Sequence, residues 1–337
     1  LILCSNVRRS AIAGRRTSFA AMIRRLAPIA LLLFASCNVA KQYNRACEKR
    51  LLREDFTQHT FTAADGEHFT WYRDTGKEKL LLLHGYTGSG MLQWSRTAQL
   101  LGDDYDAIMP DLLCHGRSTT HWRDDTTAFP GTSMDAQVAH VVMLLDSLGV
   151  REPVTVVGNS YGGGVAALLA HQHPGRVKKL VIYDGLVSDY TQAIADSVAR
   201  AAGGEGMLAV MSTPGYKDIR VGIKLALYRS PPILPGFILK QVYEENVRPF
   251  RPGQITLIKD LLLNEVLFAE RSYTWPMPVH VIWGERDRLI PNSVGRAMMR
   301  RNNLPDDRWT TIPRTGHVPN LERPKAFDRV LREILVK

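Results

Sequence analysis

The chain has 337 residues, 45% of them hydrophobic and 23% charged, which is enough apolar material for a sizeable core in one large or two smaller domains. Its formal net charge of +10 would suit a nucleic-acid partner, but Arg8, Arg9, Arg15, Arg16, Arg24 and Arg25 all fall in residues 1–36, which hold no acidic residue. Without that segment 37 basic residues face 33 acidic ones, and no later basic run is interleaved with aromatics, so no nucleic-acid partner is expected.

The N-terminal region reads as an address. In "MIRRLAPIALLLFASC" (Met22 to Cys37), Arg24 and Arg25 precede the apolar run Leu26 to Ala35, followed by the small residues Ala35 and Ser36. A run of ten residues is short for a bilayer span and suits a secretory signal, with Met22 as an alternative start. With Cys37 directly after the small residues, the segment resembles a bacterial lipoprotein signal, Phe34 departing from the usual leucine. That resemblance implies removal of residues 1–36, acylation of Cys37, export and a membrane lipid anchor. Cys4 would then be lost, leaving Cys47 and Cys114, whose pairing the sequence leaves open. Residues 37–54 are polar and charged and read as a tether.

Two period-two segments, "FTQHTFTA" and "EHFTWYR", flank Asp65-Gly66 and predict a hairpin. "KLLLLHG" is a continuous apolar run suited to a strand buried on both faces. "MLQWSRTAQLL" has helical spacing, "YDAIMPD" reads as a strand, and "SMDAQVAHVVMLLDSLG" as a helix with Ser133 as N-cap and Gly149 as stop. The strand "PVTVVG", the helix "YGGGVAALLAHQHP" and the strand "KKLVIYDG" follow. This alternation predicts a mainly parallel sheet with helices on both faces. It breaks after Gly185: residues 188–273 are helical in pattern and form an insertion of about 85 residues. Strand and helix then resume with "MPVHVIWG", "SVGRAMMRRN", "RWTTIP" and "KAFDRVLREILV". The core therefore comprises residues 55–187 and 274–337, and 188–273 a helical cap.

Gly158-Asn159-Ser160-Tyr161-Gly162 fits G-x-S-x-G between a strand and a helix. A serine at that sharp turn needs side chains absent two residues to either side, and Gly158 and Gly162 meet that need. The helix N-terminus then aims free N–H groups at an anion formed beside Ser160. A serine hydroxyl needs a base, and the base an orienting acid. His317 in "RTGHVPNLERP" is the candidate base and Asp287 in "VIWGERDRLIP" the candidate acid, with Asp184 and Asp111 as rival acids. The candidate oxyanion donors are the N–H groups of Tyr161, next to the nucleophile, and of Tyr86 in "HGYTGSG". His84 is expected to hold that loop by hydrogen bonds.

The stretches "LLLHGYTGSG", "MPDLLCHGRS", "VVGNSYGGG", "VIWGERDRLIP" and "TGHVPNLERP" together resemble lidded serine hydrolases of the α/β-hydrolase superfamily. The resemblance implies an eight-stranded, mainly parallel sheet, a cap over the site after the sixth strand, and the triad order Ser160, Asp287, His317. It implies neither metal nor organic cofactor. Cys114 stands where relatives often carry glycine. Carboxylesterases, monoacylglycerol lipases and carbon–carbon hydrolases of ring-cleavage products are the nearest branches. A small-molecule or lipid ester is the expected substrate. A carbon–carbon hydrolase is the alternative, and an exported non-catalytic binding lipoprotein the reading from another class.

Overall fold

The four leucines of "KLLLL" (Leu80 to Leu83) are all fully buried, as expected of a central strand covered on both faces. Leu81 and Leu83 join one hydrophobic cluster, Leu80 and Leu82 the other, so alternate side chains of one strand feed two cores. A computed structural model of the chain describes residues 38–63, 66–120, 133–231, 234–264 and 269–337. Residues 1–36 with the expected signal, Cys37 and the expected hairpin tip at Asp65 lie outside the described residues.

The sheet strands are β1 (Thr57–Ala63), β2 (Gly66–Tyr72), β3 (Glu78–Leu83), β4 (Tyr105–Pro110), β5 (Thr119–Thr120), β6 (Val154–Asn159), β7 (Val177–Tyr183), β8 (Val279–Gly284) and β9 (Trp309–Ile312). Eight of them run in the order β1-β2-β4-β3-β6-β7-β8-β9, and the two-residue β5 adds to β2. β1 and β2 pair antiparallel, as does β2 with β4; from β4 onward every pair along the path is parallel. The eight-stranded, mainly parallel expectation thus holds, with β5 as an addition too short to leave a period in the sequence.

Helices α2 (Gly90–Leu101), α3 (Met134–Ser147), α4 (Tyr161–Gln172), α10 (Asn292–Arg301), α11 (Pro319–Glu322) and α12 (Pro324–Leu335) accompany the sheet. Ser133 caps α3 by accepting the Ala136 N–H at 3.2 Å, and Gly149 follows its end at φ +70°. Trp94 of α2 and Phe327 of α12 pack in one cluster, Val138 of α3 and Val165 of α4 in the other.

Residues 37–54 correct an expectation. Their polar composition suggested a tether, but Val39–Arg53 form helix α1, capped by Asn38. Ala40, Cys47 and Leu51, spaced seven and four residues apart, are its buried stripe, and Leu51 joins the core beside Trp94. Three inward side chains suffice to dock a helix whose remaining faces stay charged. Cys47 and Cys114 are both buried and form no disulfide with each other.

Between β7 and β8 lie the cap helices α5 (Gln192–Ala201), α6 (Met207–Ser212), α7 (Ile219–Ala226), α8 (Gly236–Asn246) and α9 (Arg251–Leu263). Ala195, Ala199, Met207, Val210 and Leu225 make the cap a small core of its own. It is also held from outside: Asn38 Nδ2 donates to Glu245 Oε1 at 2.6 Å, the Val39 N–H to Gln241 Oε1 at 2.8 Å, and Asn44 Nδ2 to Asn246 Oδ1 at 2.8 Å. Helix α1 therefore clamps α8. No helix among the described residues is long and apolar enough to cross a membrane.

Candidate active site

Ser160 stands between the end of β6 and the start of α4, at φ +53° and ψ −121°. That backbone is strained for any residue with a Cβ, and it survives because the surroundings over-determine it. A Cβ on Gly158 would lie 2.2 Å from the Gly162 carbonyl oxygen, and one on Gly162 would lie 2.4 Å from the His84 oxygen. Both glycines are therefore required by close backbone approach. Tyr161 is the first residue of α4, so its N–H has no acceptor within the helix.

The candidate acid and base come from loops that follow two later strands, β8 and β9. Gly284 closes β8, and a Cβ there would lie 1.8 Å from the Gly316 oxygen, so the loops after β8 and β9 cross in contact. That crossing brings Asp287 and His317 together: His317 Nδ1 donates to Asp287 Oδ2 at 2.7 Å. Asp287 Oδ1 accepts the N–H groups of Leu289 at 2.8 Å and Ile290 at 3.0 Å. The His317 N–H donates to Ala226 O at 2.7 Å, tying the base to the end of α7. His317 Nε2 is buried and has no hydrogen-bond partner among the described residues, and it faces the cavity that Ser160 also lines. The serine–histidine bond is not closed in this state, which is common before substrate fills a site.

Of the rival acids, Asp111 serves elsewhere. It accepts the N–H groups of Gly90 at 2.7 Å and Arg117 at 2.8 Å. Burial pushes its carboxyl up to about 6, against the pull of those two donors. Asp184 lies beside the pair but does not hold His317; its Oδ1 accepts the Gly284 N–H at 2.9 Å.

The loop carrying Tyr86 is held as expected. His84 Nδ1 donates to Gly85 O at 2.8 Å, and Nε2 accepts the Leu112 N–H at 2.9 Å. Both contacts fit a neutral ring, and burial, with His115 nearby, drives its pKa well below the usual histidine value. Two residues escaped the sequence reading. Gln93 Oε1 accepts the Gly85 N–H at 2.9 Å, and its Nε2 donates to Asn159 Oδ1 at 2.6 Å. Asn159 Nδ2 reaches Tyr183 O at 3.2 Å and His317 O at 3.4 Å. This relay joins the Tyr86 loop, the serine turn and the base loop. The "x" of G-x-S-x-G was its one available signal. Tyr86 also anchors the cap, donating its hydroxyl to Gln254 O at 2.8 Å.

Cys114 sits at φ +70°, a conformation that glycine adopts without cost. Among the described residues, the His, Cys, Asp and Glu group close enough to share an ion is Asp184, Asp287 and His317, which does not include Cys114.

Above Ser160 lies a cavity of about 350 Å³. Its walls are chiefly apolar, with Leu186, Met207, Val210, Ile219, Ile223 and Leu261 among them. Among the described residues no lysine or arginine lines it, and Thr87, Tyr190, Thr213 and Asp218 are among its polar residues. Helix α7 turns Ile219, Gly222, Ile223 and Ala226 toward the cavity, one face at helical spacing.

Comparison with known proteins agrees with this geometry. The chain is 29% identical over 288 residues to a 2-hydroxy-6-oxononadienedioate/2-hydroxy-6-oxononatrienedioate hydrolase of Burkholderia vietnamiensis, covering 78% of this chain and 90% of that one. It is 26% identical over 274 residues to Lipase 1 of Psychrobacter immobilis, covering 80% and 81%. The structure of a 2-hydroxy-6-oxo-6-phenylhexa-2,4-dienoate hydrolase from Rhodococcus superposes with a TM-score of 0.68 at 21% identity, covering 84% of this chain and 99% of that one. Residues 80–330, most of the chain, match the alpha/beta hydrolase family, and the chain belongs to that family.

Proposed function

We propose that this hydrolase cleaves carboxylic esters with an apolar acyl chain, through an acyl-enzyme on Ser160. The observation that carries this reading is a chiefly apolar cavity, lined by Ser160 and His317 and by no cationic side chain among the described residues. Ser160 Oγ attacks the ester carbonyl carbon and its proton passes to His317 Nε2. Asp287 holds the imidazole in the tautomer that accepts there and stabilises the imidazolium. The N–H groups of Tyr86 and Tyr161 receive the oxyanion. The alkoxy C–O bond breaks and the leaving alcohol takes the proton from His317. Water then attacks the acyl carbon, His317 takes its proton, and Ser160 departs with that proton restored. No step calls for a metal or organic cofactor.

Carbon–carbon hydrolysis is the second reading, favoured by the Burkholderia relative. That protein is named for dienedioates, which carry two carboxylates. Buried carboxylates need paired cations or several donors. The cavity offers neither lysine nor arginine among the described residues to pair with them. The deciding experiment measures turnover of p-nitrophenyl esters from acetate to palmitate, and of a dienedioate, with Ser160→Ala as control. Ser160-dependent ester turnover supports the proposal. Consumption of the dienedioate alone by folded protein would replace it with the second reading, and no turnover of either substrate by folded protein would leave a binding protein.

The cavity wall predicts how acyl length is read. A Cβ on Gly222 meets nothing within 4 Å, and Gly222 lines the cavity from mid-helix α7. Gly222→Leu is expected to fold with equal or higher stability, since glycine costs a helix about 0.5–1 kcal/mol relative to alanine. It should shift the preferred acyl chain to a shorter one, read as the ratio of kcat/KM for long and short esters.

We also propose that the enzyme is exported and held at a membrane through acylated Cys37, on the pattern from Met22 to Cys37. Incorporation of a clickable fatty-acid label, lost in Cys37→Ser, would support it; equal labelling of both would end it.

A further inference from the structure

Asp184 closes the end of β7 in the left-handed region, at φ +43°, with its side chain fully buried. Its N–H donates to Ile282 O at 2.9 Å, and its Oδ1 accepts the Gly284 N–H at 2.9 Å. Both contacts lie on β8, just before the loop that carries Asp287. Asp184 Oδ2 is buried and receives no hydrogen bond from any described residue. One oxygen of Asp184, one of Asp287 and a ring nitrogen of His317 lie within 4.8 Å of one another.

Two carboxyl groups this close, both shut off from water, do not both carry charge. The donors around them decide which one does. Asp287 accepts three N–H groups, from Leu289, Ile290 and His317. Asp184 accepts one. Among the described residues the donors are therefore unequal: three converge on Asp287, whereas the single one at Asp184 leaves Oδ2 open to hold a proton.

We propose that Asp184 is a positioning residue of the triad, whose protonated carboxyl donates a hydrogen bond to Asp287 and fixes the acid that orients His317. This rests on the triad reading above. Asp184 never reaches the substrate; it acts through Asp287, and it ties the root of the acid loop by the bond from Gly284. The groups facing it are Asp287 after β8, His317 after β9, Glu322 on α11 and Tyr183 on its own strand. Burial, followed by the charge of Asp287, pushes the Asp184 carboxyl well above the ordinary carboxylate range, and the Gly284 N–H opposes this only in part. The arrangement explains why an aspartate is kept at a strained position where a glycine would sit at ease. It also accounts for a second carboxyl beside the base that leaves His317 to Asp287.

The test compares Asp184→Ala and Asp184→Asn with the intact chain, using an ester that the wild-type protein turns over. Removing a hydrogen bond to a charged group should lower kcat by roughly tenfold or more in Asp184→Ala, with KM nearly unchanged. Asparagine retains a donor for Asp287, so Asp184→Asn should recover most of that loss. Raising the pH should ionise Asp184 in the wild type and set a second charge against Asp287. The resulting alkaline fall in kcat should be absent in Asp184→Asn, whose amide does not titrate. Wild-type kcat in a folded Asp184→Ala, an Asp184→Asn as impaired as Asp184→Ala, or an alkaline limb identical in wild type and Asp184→Asn would each overturn the proposal. Covalent labelling of each protein with a fluorophosphonate separates the two layers. An unlabelled wild type condemns the triad reading, whereas a labelled wild type with an indifferent Asp184 condemns only this inference.

Discussion

Ser160→Ala is expected to lower kcat for ester hydrolysis by roughly a millionfold, the scale seen when a serine protease loses its nucleophile. The fold should be untouched. The Ser160 hydroxyl makes no capping bond to α4, and alanine carries the same Cβ into the φ +53° turn. A melting temperature close to wild type, with turnover near background, is therefore the anticipated pair of results. An alanine variant that retained turnover would remove Ser160 from the chemistry and with it the acyl-enzyme.

Asp287→Asn comes second, with an expected loss in kcat of roughly ten thousandfold, as for the equivalent change in a serine protease triad. The carboxylate at 2.7 Å from His317 Nδ1 selects the tautomer with a lone pair at Nε2. An amide in its place can present its own N–H2 to Nδ1 and stabilise the wrong tautomer. The side-chain oxygen can still accept from Leu289 and Ile290, so the loop should persist. Combined with Ser160→Ala the loss should be far from additive, because the residues act as one unit. Steady-state kinetics of the two single variants and the double variant, each checked by thermal unfolding, would settle the matter.

The parts of this site that were legible in the sequence are those whose requirements are local. Gly158 and Gly162 flank a turn whose geometry is written within five residues, and the buried strand at Leu80–Leu83 shows in its own composition. Asp287 and His317 were legible because each follows a recognisable strand. The relay of Gln93 and Asn159 was not, since it joins residues 66 apart in the chain and neither side chain has a periodicity to betray it. Asp184 was read only as a competitor of Asp287. The difference between them lies in how many N–H groups converge on each carboxyl, which the loops after β8 and β9 decide together. Helix α1 was misread because three inward side chains in a charged segment are a faint signal.

The clamp between α1 and α8 gives the molecule a handle. A pull applied at residue 38 passes through Asn38 to Glu245 and through Val39 to Gln241, and so reaches α8, which leads directly into the cavity-lining Val247. The opposite end of α1 is embedded by Leu51 in the core beneath. A force on the chain just before Asn38 is therefore shared between the core beneath and the helix that precedes Val247 at the cavity wall.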